Sequence, residues 1–206
     1  MHERLNNGIY FGLIGNLLFL GFALVCMIYH FTYDPESVIT EIIGAIAYIT
    51  EFSGFFIMMF SAYLIWYSVR DRNLMKLSYF AYILFEAVMM FLEINSYKFK
   101  SYEPYSFSLA IFHAIVSAAV CFAFLQFDKE NKKFEHLIII CVAVILIGMF
   151  GKIVGIRIYF SILINAIAFT VLFGGIRYLM QRGEIEIDCH GDNANPVEYK
   201  SDFFKD

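Results

Sequence analysis

Five ionisable side chains stand inside otherwise apolar stretches of this chain: Glu51, Glu86, Glu93, His113 and Lys152. A charge at mid-helix in lipid costs about 2.5–3.5 kcal/mol on insertion scales, so such residues mark binding sites, proton relays or buried pairs. A carboxylate beside an imidazole can hold a cation, share a proton or work as acid and base. Helical spacing brings these groups to defined faces. Glu86 and Glu93 are two turns apart on one face, with Met89 and Met90 between them. Tyr48, Glu51, Phe55 and Met58 share a second face, and Ser106, Ala110, His113, Ser117 and Cys121 form a small, polar stripe. Small stripes face other helices rather than lipid, so His113 is expected to point inward, with Glu51 or Glu86 as its natural partner. Asn16 and Asn165 add polar amides in the first and sixth stretches. The candidate ligand-binding set is Glu51, Glu86, Glu93, His113, Tyr48 and Asn165, with no catalytic or metal-ligating residue assigned and no cofactor expected. Each member also has a plainer reading. Glu93 lies near the end of its stretch and can reach interfacial water, Glu51 and Glu86 can serve only to hold helices together, and Lys152 and Arg157 flank a turn and can snorkel.

The elements that must position these residues follow from composition. The 206 residues are 60% hydrophobic, 19% aromatic and 17% charged, with a mean hydropathy of +0.67. A soluble domain carries about 45–50% apolar and about 25% charged residues, so most of this chain needs lipid as its solvent. The net charge of −4 carries no polyanion-binding signal, and no nucleic-acid partner is expected. Six stretches are long enough to cross a hydrocarbon core, at 9–31, 41–69, 74–95, 106–127, 136–154 and 157–181. The expected fold is all-α, an integral membrane bundle of six transmembrane helices over 1–182 with no soluble domain. An acidic tail follows over 183–206, expected to be disordered, with seven Asp or Glu against two Lys. Asp34-Pro35-Glu36 reads as the start of the second helix, capped by Asp34, which would make that helix roughly 50 Å long.

Lys and Arg accumulate beside alternate connections: Arg4, then Arg70, Arg72 and Lys76, then Lys129, Lys132 and Lys133, then Arg177 and Arg182. Cytoplasmic loops carry this excess, so both termini are expected in the cytoplasm of a plasma-membrane protein. In that orientation Glu51, Glu93, His113, Lys152 and Asn165 fall in the outer half and Glu86 near the middle, while the inner half is almost entirely apolar apart from Asn16. An outward-facing polar pocket has this signature.

Other chemistries find no motif. There is no Gly-x-Ser-x-Gly elbow, no His-Glu-x-x-His helix and no phosphate-cradling Gly-rich loop with Lys. Asp188, Cys189, His190 and Asp192 lack the repeated spacing of a zinc site, and the four cysteines show no disulfide framework. In size, helix count, terminus placement and outward pocket, the architecture resembles the substrate-binding subunits of energy-coupling vitamin transporters. Gly12 and Gly15 stand where that family has an Ala-x-x-x-Ala contact motif. The resemblance is one of architecture, and the residues point to a non-catalytic binder, a transporter subunit or membrane sensor taking a cationic or zwitterionic small molecule with Glu51, Glu86 and Glu93 as counter-charge, embedded in the bilayer as a homo-oligomer or with a partner membrane subunit. Two alternatives use other features. An accessory or immunity-type interaction protein would use the acidic tail, and an intramembrane enzyme acting on a lipid would use Glu86 and His113.

Overall fold

The computed structural model describes residues 2–34, 36–69, 73–99, 107–128, 131–153 and 158–185. Among them the regular structure is six helices: α1 (His2–Thr32), α2 (Val38–Ser68), α3 (Asn73–Phe99), α4 (Phe107–Phe124), α5 (Lys132–Ile153) and α6 (Ile158–Gln181). Five helices meet the length and apolarity that a bilayer crossing requires, and α4 is the short one, its described apolar part covering only Ile111–Phe124. At 31 residues each, α1 and α2 run about 46 Å, against a hydrocarbon core of about 30 Å, which leaves about three turns for tilt or for ends beyond the lipid. The outer surface supports lipid as the solvent. Ile49, Phe56, Phe80, Phe91, Ile147 and Phe150 are all more than half exposed, a density of apolar side chains that water would not tolerate.

The helices pack in chain order, each on the next, and α6 closes the circuit on α1. The α1–α2 pairing is the most extensive and the α2–α3 seam the sparsest. Close approach of α1 and α2 depends on glycine. A Cβ at Gly15 would lie 2.6 Å from Met58 Cγ and 3.2 Å from the Gly54 carbonyl oxygen, and one at Gly54 would lie 3.2 Å from the Gly15 carbonyl oxygen. The two backbones therefore touch, the contact that small residues make possible between membrane helices. Gly12, one turn before Gly15 on α1, admits the Phe173 ring of α6. The interior is filled by aromatic and aliphatic side chains from every helix, with Phe124, Phe134, Phe169 and Phe173 fully buried.

Helix ends differ from expectation where side chains are spent elsewhere. Helix α2 begins at Val38 rather than Pro35, because Asp34 makes a turn: its Oδ1 accepts from Glu36 N at 3.1 Å and its carbonyl from Ser37 N at 3.1 Å. Thr40 Oγ1 then accepts from Asp34 N at 3.2 Å, tying the turn to the first helical turn. Helix α1 starts at His2, seven residues before the expected start at Ile9, since the polar residues that precede the apolar stretch continue the helix. Helix α5 is capped by Asn131, whose Oδ1 accepts from Lys133 N at 3.0 Å and Phe134 N at 3.2 Å. Helix α6 closes in a Schellman turn, with Glu184 N donating to Leu179 O at 2.9 Å, Gly183 N to Met180 O at 3.0 Å, and Gly183 at φ 65°. The Glu184 carbonyl accepts from Asn131 Nδ2 at 2.5 Å and its carboxylate from Lys133 Nζ at 2.8 Å, which clips the end of α6 to the start of α5.

A candidate polar cavity inside the bundle

Helix α3 brings Tyr82, Phe85, Glu86 and Met89 to one face by its 3.6-residue period, and α4 lays His113 against that face. His113 Nε2 and Glu86 Oε1 are 2.7 Å apart, with side chains 16% and 19% exposed respectively. The imidazole is held from both directions along α3: the Tyr82 ring stacks on it at 6.4 Å and 19°, and the Phe85 ring lies at 5.1 Å and 30°. The ring position is therefore set by packing, and one proton between Nε2 and Oε1 serves the contact. A pair holding that proton is neutral overall, and one that has lost it carries a negative charge in an apolar setting.

The pair lines a cavity of about 50 Å³ to which α1, α2, α3, α4 and α6 all contribute. Glu51 enters from α2 and is 7% exposed; Asn16 enters from α1 and Asn165 from α6. Asn16 is anchored, its Nδ2 donating to the Gly12 carbonyl at 2.8 Å and meeting Met58 Sδ at 3.2 Å. Asn165 Oδ1 has no hydrogen-bond partner among the described residues, although the side chain is 9% exposed. A buried acceptor left so costs about 1–3 kcal/mol unless a donor reaches it, so the amide is suited to a water or a protic ligand. Phe19, Phe22 and Phe55 supply apolar wall.

Four of the six candidate residues, Glu51, Glu86, His113 and Asn165, thus meet in one place. Tyr48 does not: it is partly buried on α2, one turn before Glu51, and is not among the lining residues. Glu93 lies on α3 with its side chain outside the described ones, as does that of Lys152 on α5; Arg157 and residues 186–206 lie outside the described residues altogether. Asn16 is a lining residue that spacing alone did not single out, since one amide on an apolar helix carries no face signal. Among the described residues no three His, Cys, Asp or Glu side chains gather as metal ligands.

Below the cavity, toward the end of α3 that carries Lys76, polar groups continue further than the apolar inner half suggested. Ser61 Oγ donates to the Gly8 carbonyl at 2.6 Å, which uses its only proton, so Tyr79 OH must be the donor in its 3.2 Å contact with Ser61. Tyr79 lies one turn from Tyr82, with ring centroids 6.4 Å apart. These hydroxyls are enclosed by rings: Phe124 and Phe173 lie 6.3 and 6.2 Å from Tyr79, and Phe169 lies 4.9 Å from Tyr82. The cavity therefore ends on an aromatic plug threaded by hydroxyls.

No family model, curated protein or solved structure matches this chain. The architectural resemblance to vitamin-transporter subunits accordingly gains no support from a relative, and the functional argument rests on the cavity.

Proposed function

We propose that this is a multi-pass integral membrane protein that binds a small cationic ligand of the ammonium or small-amine class in its internal cavity, as a transporter subunit or membrane sensor. The observation that carries this reading is the convergence of Glu51, Glu86, His113, Asn16 and Asn165 from five helices on one space. Its chemistry suits a cation. The carboxyl groups of Glu51 and Glu86 and the amide oxygen of Asn165, which has no hydrogen-bond partner among the described residues, are acceptors that a small N–H cation can engage. Its size sets the class. A volume of about 50 Å³ takes a few heavy atoms, whereas drug-sized ligands occupy about 300–1,000 Å³. The same limit disfavours a lipid or isoprenoid substrate, so the Glu86–His113 pair is better placed to bind than to turn over a lipid. The distribution of Lys and Arg supports cytoplasmic termini in a plasma membrane, with the cavity toward the outer face.

The test is thermal unfolding of the full chain in detergent at pH 7.5 and fixed ionic strength, with ammonium, methylammonium and choline compared against sodium. A bound cation at a hundred times its dissociation constant stabilises by about 2.7 kcal/mol. Ammonium and methylammonium are expected to stabilise, choline to exceed the cavity, and Glu86→Gln to lose the effect. Equal stabilisation by sodium, or an unchanged response in Glu86→Gln, refutes the proposal.

A further inference from the structure

The sparse α2–α3 seam opens a second space, unconnected in its chemistry with the polar cavity. It is an apolar groove of about 390 Å³ between the last turns of α2 and the first turns of α3. Ile65, Met75 and Tyr79 form a buried floor, while Tyr63, Trp66 and Phe80 stand exposed at the rim. One charge lies in it: Lys76, whose Nζ sits 5.7 Å from the centre of the Trp66 ring. No carboxylate is among the lining residues. The stretch that joins the helices, Arg70-Asp71-Arg72, adds two positive charges and one negative in sequence.

We propose that this groove binds an anionic phospholipid, with an acyl chain along the apolar floor and the headgroup phosphate at Lys76. Three observations converge on that occupant. The groove lies at helix ends, where a bilayer changes from hydrocarbon to headgroup, and Tyr63, Trp66 and Tyr67 have the apolar body and polar tip of residues that sit at that level. The body of the groove is apolar over a volume far larger than a water site, which suits a chain and not a free phosphate. Lys76, the one charged side chain among the described lining residues, complements a negative headgroup, and the flanking sequence has a net charge of the same sign.

Trp66 is the only tryptophan in the chain, so its fluorescence reports this groove and nothing else. The full chain is reconstituted in zwitterionic phosphatidylcholine vesicles, and quenching is titrated with brominated phosphatidylglycerol or brominated phosphatidylcholine. Brominated phosphatidylglycerol is expected to quench at about fivefold lower mole fraction, the preference that one Lys near a membrane surface supplies. Lys76→Gln is expected to reduce the preference about fivefold, and Lys76→Arg to keep it, with helicity by circular dichroism showing that each variant is folded. Equal quenching by the two lipids overturns the proposal, because the groove is then filled by bulk lipid. An undiminished preference in folded Lys76→Gln overturns it too, as does protection of Trp66 from both lipids that grows with the protein-to-lipid ratio, which identifies a second copy of the chain as the occupant. None of these results depends on cation binding in the polar cavity.

Discussion

Replacing the Glu86–His113 pair by an apolar pair of the same shape separates what holds the bundle together from what the cavity binds. Glu86→Met keeps the length of the side chain, and His113→Phe keeps a ring between Tyr82 and Phe85, which lie 6.4 and 5.1 Å from the imidazole. Each single substitution leaves the other polar group without its 2.7 Å partner. A stranded group of this kind costs about 1–3 kcal/mol. Both side chains are less than one-fifth exposed, at 16% and 19%, and the cavity beside them has room for water, so a value near the middle of that range, about 1.5 kcal/mol for each single variant, is expected. The double variant removes both polar groups and should return close to the parent stability, as apolar replacements of buried pairs commonly do. The coupling energy is then about 3 kcal/mol, the sum of the two single losses and above the upper limit of about 1.7 found for hydrogen bonds between membrane helices, where the average is about 0.6. Equilibrium unfolding of the four proteins in mixed detergent micelles measures it. The double variant should be stable and unresponsive to methylammonium. A coupling below about 0.5 kcal/mol, or silent single variants, would show that the contact stabilises nothing and that the reasoning from its geometry is wrong.

Two further outcomes follow from packing and charge outside the cavity. Gly54→Val should destabilise by about 1–3 kcal/mol and loosen the α1–α2 contact, because the new Cβ meets the Gly15 carbonyl oxygen at 3.2 Å and Leu18 Cβ at 3.3 Å; an unfolding midpoint equal to the parent's would refute that close packing. At the end of α6, the Glu184 carboxyl is held below the ordinary carboxylate range by the hydrogen bond from Lys133, helped by the charges of Lys133 and Arg182. Its contribution to the α5–α6 clip is therefore complete above the unfolded carboxylate value and lost as pH falls through the lowered folded value. The side-chain carboxyl carbon followed by nuclear magnetic resonance should titrate low in the parent and move up toward the ordinary value in Lys133→Ala, and an unmoved midpoint would rule out the clip.

The legible part of this fold was what lipid imposes. Apolar stretches long enough to span a bilayer locate helices well, because a backbone in hydrocarbon must satisfy its own hydrogen bonds. That His113 turns inward to a carboxylate was legible from the polar stripe on α4, whereas the choice of Glu86 over Glu51 was set by the packing of α3 against α4. Boundaries were less legible. Asp34 looked like a helix cap, yet its oxygens are taken by Glu36 and Ser37 in a turn, and nothing in the local sequence distinguishes the two uses. Cavity size was not legible at all, since it depends on how Phe19, Phe22 and Phe55 from two helices pack together. Asn16 joined the site only because the Gly15–Gly54 contact draws α1 close to α2, a distance that no single helix encodes.

The inner end of the cavity bears most directly on mechanism. An open conduction path would need polar groups and space along its whole length, and a dry gate would need only apolar side chains. This chain has neither. Tyr82, Tyr79 and Ser61 carry hydroxyls through a layer in which Phe124, Phe169 and Phe173 leave no exposed surface beyond 1%. Such a layer stops a hydrated ion, because the rings fill the cross-section. The hydrogen bonds from Tyr79 to Ser61 and from Ser61 to the Gly8 carbonyl end on an acceptor with no proton to pass on. The arrangement as it stands therefore closes the cavity to ions and to a continuous proton relay alike. A ligand held at Glu86 and His113 would leave by the way it entered unless α2 or α3 moved to part Tyr79 from Ser61. That places the bond between Tyr79 and Ser61 at the point where a passive binder and a transporter differ: a sensor can keep it intact through its cycle, whereas a transporter must break it.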